Sequence, residues 1–363
     1  MSVLAAIAVL ALLIVVHELG HFAAARLQGI YANRFSIGFG PVLLKYQGKE
    51  TEYAIRAIPL GGFVGFPDED PDSDIPPDDP NLLSNRPVLD RAIVISAGVI
   101  ANLIFAYFLL VAQTATIGVP ELNYQPGVAV PQVVSEESSP AIEAGIQAGD
   151  VIVEIDSQEL GASKEAVRTL METIKNSPNQ AIQLTIEREN QRIPITITPK
   201  ADEAGNGKIG VMLAPNGEMV RRRADSLVSA FTAAADEYQR LSTLIFQGFG
   251  QLISNFRETA EQVAGPVAIV AVGADLARSD AGSLFQFGAL ISINLAIINI
   301  LPLPALDGGQ LAFLFIEGVR GKPLPGNLQE GIMQTGLVLL LGLGVFLIIR
   351  DTVNLAVVQE LFQ

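Results

Sequence analysis

The sequence predicts a polytopic α-helical membrane protein with four transmembrane helices, a small membrane-associated β-sheet and an inserted soluble α+β domain. Three observations carry this. Four apolar runs reach or approach the roughly 20 residues a helix needs to cross a bilayer. A Gly-punctuated segment of alternating apolar and polar residues follows the first run, and a stretch of soluble composition separates the second from the third. Half of the 363 residues are hydrophobic and only 17% are charged. With a mean hydropathy of +0.40, that is too apolar for an ordinary soluble chain of this size.

The first run spans residues 2–25 and contains "LAAIAVLALLIVVHELGHFAAA". No Lys or Arg precedes its core, as one would in a signal peptide, and it stays apolar through two His and a Glu. Residues 31–66 include "NRFSIGFGPVLLKYQGKETEYAIRAIPLGGFVGF", which reads as short strands in a small sheet. Residues 67–86 open with "PDEDPDSDIPPDDP", an acidic, Pro-rich run expected to be a solvated, flexible linker. It lacks the ligand spacing and closing Glu of a calcium loop. The second apolar run is 92–117, "AIVISAGVIANLIFAYFLLVAQTATI".

Residues 122–215 are soluble in composition. "AIQLTIERENQRIPITITPK" predicts a hairpin with Ile182, Leu184 and Ile186 facing Ile193, Ile195 and Ile197. Residues 216–283 read as amphipathic connecting helices. Leu241, Leu244, Ile245, Phe249 and Leu252 fall at helical spacing on one face of a segment too polar to span. The third run is 284–306, "LFQFGALISINLAIINILPLPAL", and the fourth is 331–349, "GIMQTGLVLLLGLGVFLII".

The net charge of −15 argues against a nucleic-acid partner, since phosphate binding needs clustered Lys and Arg. The chain has no Cys, which excludes disulfides, thiolate metal sites and a Cys nucleophile. Arg26 and Arg34 follow the first run, and Arg86 and Arg91 precede the second. The positive-inside rule then puts the 27–90 loop in the cytoplasm, with the N-terminus and residues 122–215 outside. Arg320 and Lys322 in the last connection agree, and Arg350 dissents.

Residues 17–21 read "HELGH" and hold both histidines of the chain. On a helix, residues four apart share a face, so His17 and His21 can grip one metal ion. Glu18 is then placed as the general base of a zinc hydrolase. Ionisable groups within a membrane span are costly and point to function. A catalytic zinc takes three protein ligands. With no His or Cys left, the third must be Asp or Glu at membrane depth. Asp307 in "NILPLPALDGG" is the best candidate, because Pro302, Pro304, Gly308 and Gly309 break the helix where irregular backbone needs a buried or watery site. Glu317 is a weaker candidate.

"SPAIEAGIQAGDVIVEID" resembles a PDZ domain, a fold that binds extended peptides on a sheet edge. Together with "HELGH", "FSIGFGP", "IPLGGFV", "AGVIAN" and "NILPLPALDGG", in that order, it resembles the site-2 protease family of intramembrane zinc metalloproteases. The likeness is closest to the bacterial regulator-of-sigma-E protease type. The resemblance implies one Zn2+ held by His17, His21 and Asp307, with Glu18 catalytic. It places Asn299 and Pro302 near the substrate. Gly38, Phe39, Gly40, Gly61 and Gly62 fall in membrane-dipping strands that hold an unwound substrate. Asn102 matches a polar position among the substrate-binding set. The implied partners are the lipid bilayer and single-pass membrane-protein substrates, such as anti-sigma factors or signal-peptide remnants. The implied location is a bacterial plasma membrane, with the active site toward the cytoplasm. One PDZ domain is evident where some relatives carry two. The rival readings are a non-proteolytic PDZ scaffold and a metal transporter; a transporter would want repeated sites along a path, and one site is present.

Overall fold

The computed structural model describes residues 2–70, 73–134, 139–202, 204–259 and 263–354. The chain divides into two compact units, one formed by residues 1–118 and 223–363, the other by 119–222.

The first unit opens with α1 (Ser2–Leu27), followed by β1 (Arg34–Gln47), β2 (Glu52–Gly65) and α2 (Val88–Thr116). It resumes with α5 (Leu227–Ser254), α6 (Phe256–Thr259), α7 (Pro266–Ser279), α8 (Ala281–Ile300), α9 (Asp307–Arg320) and α10 (Gly326–Val353). Among the described residues, four helices are long and apolar enough to cross a membrane: α1, α2, the 282–300 part of α8, and α10. α2 packs against both α1 and α8. The approach of α1 to α2 is close because Gly20 lies against Ala97 and Ala101. Ala106 and Leu110 of α2, Ala230, Ala234, Leu241 and Ile245 of α5, and Ala289 and Ile293 of α8 form one buried cluster. The apolar face of α5 is therefore broader than its large residues suggested. Ala230 and Ala234 extend the contact that Leu241 and Ile245 make, while Leu244 is 52% exposed.

β1 and β2 are long, bent strands that pair twice. Residues 34–37 run parallel to 52–55 and lie opposite 62–65 in the reverse direction, while 44–47 pair antiparallel with 52–55. The four segments thus lie in the order 44–47, 52–55, 34–37, 62–65, leaving 62–65 at an edge. Phe39, Val42, Leu43, Leu44, Ile55 and Ile58 form an exposed apolar surface at the far end of this sheet.

Two expectations need correction. The third apolar run stops being helix at Ile300, six residues short of the predicted end, because Leu301 precedes a proline and takes extended backbone. The acidic segment after β2 is not a free linker. Asp68 accepts from the Ser84 N–H at 2.9 Å, Asp70 pairs with Arg34, and Asp79 accepts from the Asn81 N–H at 2.7 Å. Asp68, Asp70 and Asp79 are thus each engaged by a partner; Pro71 and Asp72 lie outside the described residues.

The second unit comprises β3 (Val119–Val133), α3 (Pro140–Glu143), β4 (Val151–Ile155), β5 (Gln158–Glu159), α4 (Lys164–Asn176), β6 (Ile182–Arg188), β7 (Gln191–Ile197), β8 (Lys200–Ala201), β9 (Gly207–Lys208) and β10 (Val211–Arg222). The main sheet has the order β10-β3-β4-β6-β7, with β5 on β4. Val119 of β3 sits opposite Arg222 of β10, so the unit enters and leaves through adjacent strand ends. Ile182, Leu184 and Ile186 pair with Ile197, Ile195 and Ile193, as the alternation predicts. Val128, Val130, Ile152, Leu170, Ile182, Leu184 and Ile186 form its core.

Asp150, buried in this unit, accepts from Arg188 Nε at 2.7 Å and from the Gln147 N–H at 2.8 Å. Burial pushes its carboxyl up, but the bonds from Arg188 and Gln147 outweigh that and hold it below the usual carboxylate range. A carboxyl depressed in the folded state stabilises the fold above its unfolded value, about 3.9, and loses that contribution as pH falls. Arg188→Met is therefore expected to destabilise residues 119–222 at neutral pH. The difference from wild type should shrink below about pH 4. Hydrogen exchange of amides in the unit, corrected for intrinsic rates, measures both effects.

Candidate metal centre

His17 and His21 project from one face of α1, their ring centroids 4.7 Å apart. His21 Nδ1 lies 2.9 Å from the Val94 carbonyl of α2. A carbonyl only accepts, so Nδ1 carries the proton and Nε2 presents a bare lone pair. That Nε2 is 3.2 Å from His17 Nε2. Asp307, the first residue of α9, closes the triangle. Its Oδ2 is 3.2 Å from His17 Nε2 and 3.5 Å from His21 Nε2.

These three atoms can hold a metal ion, and the donor set fits zinc. Asp307 Oδ2 is buried without a hydrogen-bond partner. Lone pairs facing one another at this range repel unless a cation lies among them. Tetrahedral ligands at zinc's usual distance of about 2.0–2.1 Å stand about 3.3 Å apart, close to all three measured edges.

The backbone before Asp307 explains how an acid reaches this depth. Between α8 and α9 the chain turns through Leu301–Leu306, with Pro302 exposed on the bend and Ala305 in the left-handed region at φ 67°. The N-terminal turn of α9 then packs onto the end of α8. A Cβ at Gly308 would collide with the Ile300 and Leu301 carbonyls, so only glycine fits beside the aspartate.

Glu18 lies one residue on from His17, under the edge of the β1–β2 sheet. The Val64 backbone faces its carboxylate, and Gly62 sits against its Cγ. Asn299, near the end of α8, places Nδ2 at 3.3 Å from His17 Nε2. Gly62, Asn299 and Asn102 thus come to the histidines or to Glu18. Asn102 is fully buried against His17, however, rather than on a surface that a substrate can reach. Gly38, Phe39, Gly40 and Gly61 lie further along the sheet. Phe39 is 46% exposed with its ring over Gly61, and the Gly40 carbonyl accepts from Arg56. Glu317 is not a ligand: Arg91 of α2 holds both its carboxylate oxygens, tying α9 to α2.

Sequence reasoning missed Gly98. A Cβ there would lie 2.6 Å from His21 Cε1 and 2.8 Å from His17 Cε1. The absent side chain is the space in which both rings sit. The signal was available, because Gly98 and Asn102 are one helical turn apart on α2.

A family model, peptidase family M50, matches residues 5–343. The chain belongs to peptidase family M50. This M50 chain is 64% identical to a Nostoc sp. protein named as a zinc metalloprotease, over 100% of both chains. It is 49% identical to the membrane metalloprotease ARASP, chloroplastic, of Arabidopsis thaliana, over 99% of this chain and 80% of that one. It is 28% identical to the regulator of sigma-W protease RasP of Bacillus subtilis, over 94% and 95%. Among solved structures, the PDZ domain of an SdrC-like protein from Listeria innocua is 28% identical, covering 25% of this chain and 96% of its own, with a TM-score of 0.21. The M50 chain is a zinc metalloprotease of the site-2 type and a membrane protein.

Gly98→Val is expected to displace both imidazoles and to lower zinc per purified chain well below one equivalent, read by elemental analysis. Gly318, which has only a distant neighbour at 3.9 Å, is the control position: Gly318→Ala should leave zinc unchanged.

Proposed function

We propose that His17, His21 and Asp307 hold the catalytic zinc and that the enzyme hydrolyses a peptide bond within the transmembrane segment of a membrane-protein substrate. One observation carries this reading: the two histidines of the donor triangle sit on α1, a helix apolar enough to span a bilayer, and Asp307 meets them just beyond the end of α8, another such helix. Bound zinc polarises a carbonyl and lowers the pKa of water at its open position to about 7. Glu18 takes the proton from the attacking water and delivers it to the leaving amine. The Asn299 amide, beside His17, donates to the developing oxyanion.

A peptide bond in a helix is shielded by its own hydrogen bonds, so the substrate must unwind before it is cut. Residues 62–65 are a sheet edge that lies against Glu18 through Gly62. A substrate strand added along that edge regains its backbone bonds and lies beside the general base. The exposed apolar end of the sheet suits insertion into the bilayer.

The basic residues flanking α1 and α2 support a cytoplasmic β1–β2 sheet, with the N-terminus and residues 119–222 outside, in a bacterial-type plasma membrane. The 119–222 unit reads as a PDZ domain. Its groove, lined by Val167, Met171, Val211 and Leu213 and rimmed by Lys164 and Arg168, suits a peptide end. Its role is to admit substrates already trimmed outside the membrane, in the manner of regulated intramembrane proteolysis.

Glu18→Gln is expected to keep one zinc per chain and to slow cleavage about 10²- to 10⁴-fold. His17→Ala and Asp307→Ala should lose zinc as well. Full zinc and activity in Asp307→Ala would overturn the ligand set. The Glu18→Gln enzyme, crosslinked in membranes, should accumulate single-pass proteins, which mass spectrometry identifies.

The gating role is tested by deletion. The Ala224 N–H bonds the Thr114 carbonyl at 3.1 Å, so a short linker can bridge the gap left by residues 119–222. The shortened enzyme is expected to cleave substrates with intact extracytoplasmic domains. Unchanged selectivity would exclude a gate.

A further inference from the structure

His17 must present Nε2 to the metal, because that is the atom facing His21 and Asp307. Its proton must then sit on Nδ1, where it needs an acceptor. His21 meets the same requirement through the Val94 carbonyl. For His17, the side chain opposite Nδ1 is Asn102, whose amide lies 3.4 Å away through Nδ2.

Asn102 is 0% exposed, and its Oδ1 has no hydrogen-bond partner. An unspent acceptor and a donor that needs one thus sit on adjacent side chains. The amide oxygen and nitrogen exchange places by a half-turn of the terminal torsion, with no movement of the backbone. Keeping Nδ2 toward His17 would force the imidazole proton onto Nε2, into the metal site, and would cost a ligand. Turning Oδ1 toward His17 gives Nδ1–H its acceptor and leaves Nε2 bare.

The residue is also held in place. Ser292 of α8 donates to the Asn102 carbonyl at 2.8 Å, and both residues are fully buried. Ser292 lies about two helical turns before Asn299 on the same helix. One position on α2 therefore touches the metal-site histidine of α1 with its side chain and anchors α8 with its backbone.

We propose that Asn102 is a positioning residue of the zinc site, whose amide oxygen accepts from His17 Nδ1–H and fixes the ring with Nε2 toward the metal. This rests on His17, His21 and Asp307 being the ligands. It replaces the expectation that Asn102 binds substrate.

The full-length protein, purified in detergent and stripped of metal, is titrated with Zn2+ against a fluorescent zinc chelator. Asn102→Leu and Asn102→Ala remove the acceptor, one keeping bulk and one shedding it. Both are expected to weaken zinc binding about 10- to 100-fold. Asn102→Asp keeps an acceptor and has no donor; it is expected to bind zinc as tightly as wild type or tighter. Wild-type affinity in Asn102→Leu and Asn102→Ala would overturn the proposal. So would an Asn102→Asp loss as large as theirs, since that marks a packing position. Asp307→Ala in the same titration keeps the two ideas apart. Zinc retained there refutes the ligand set. Zinc lost there but kept in Asn102→Ala refutes the positioning role alone.

Discussion

Two imidazole nitrogens and a carboxylate oxygen stand 3.2–3.5 Å apart among apolar helices. Without a cation this arrangement is repulsive and each group is poorly solvated. With one, it becomes the tie that joins the start of the chain to its end. The two histidines come from a single turn of α1 and form by local helix geometry. The aspartate comes from the far end of the sequence, and the rest of the helical unit serves to bring it in.

That delivery depends on backbone as much as on side chains. A continuous helix through residues 284–320 would carry Asp307 away along its axis. The prolines end α8, the left-handed Ala305 reverses the chain, and Gly308 lets α9 start directly on the end of α8. Arg91 then holds α9 to α2 through Glu317. α2 also supplies the Val94 carbonyl, the space at Gly98 and the Asn102 side chain. A helix carrying no metal-ligand candidate is thus the template against which the site is assembled.

Much of this was legible in the sequence, for a physical reason. Spans announce themselves by apolar length, and a chain with two histidines at helical spacing leaves few options for metal chemistry. Elimination led to Asp307 because only there did an acid coincide with helix-breaking residues at membrane depth. What escaped was whatever depends on contact between segments. Glu317 looked like a spare ligand until its partner Arg91 was known. Gly98 carried no signal as a single residue, since its role is the volume it leaves empty. The acidic run after β2 looked unstructured because composition does not reveal that Asp68 and Asp79 cap specific turns. The face of α5 was read from its large residues; Leu241 and Ile245 do pack there, and Ala230 and Ala234 extend the contact.

The most direct test of the central claim is anomalous diffraction at the zinc edge from crystals of the full-length enzyme. The account predicts one strong peak per chain, about 2.0–2.1 Å from His17 Nε2, His21 Nε2 and Asp307 Oδ2 alike. A peak bound by the two histidines with Asp307 out of reach, or a peak elsewhere in the chain, would contradict it.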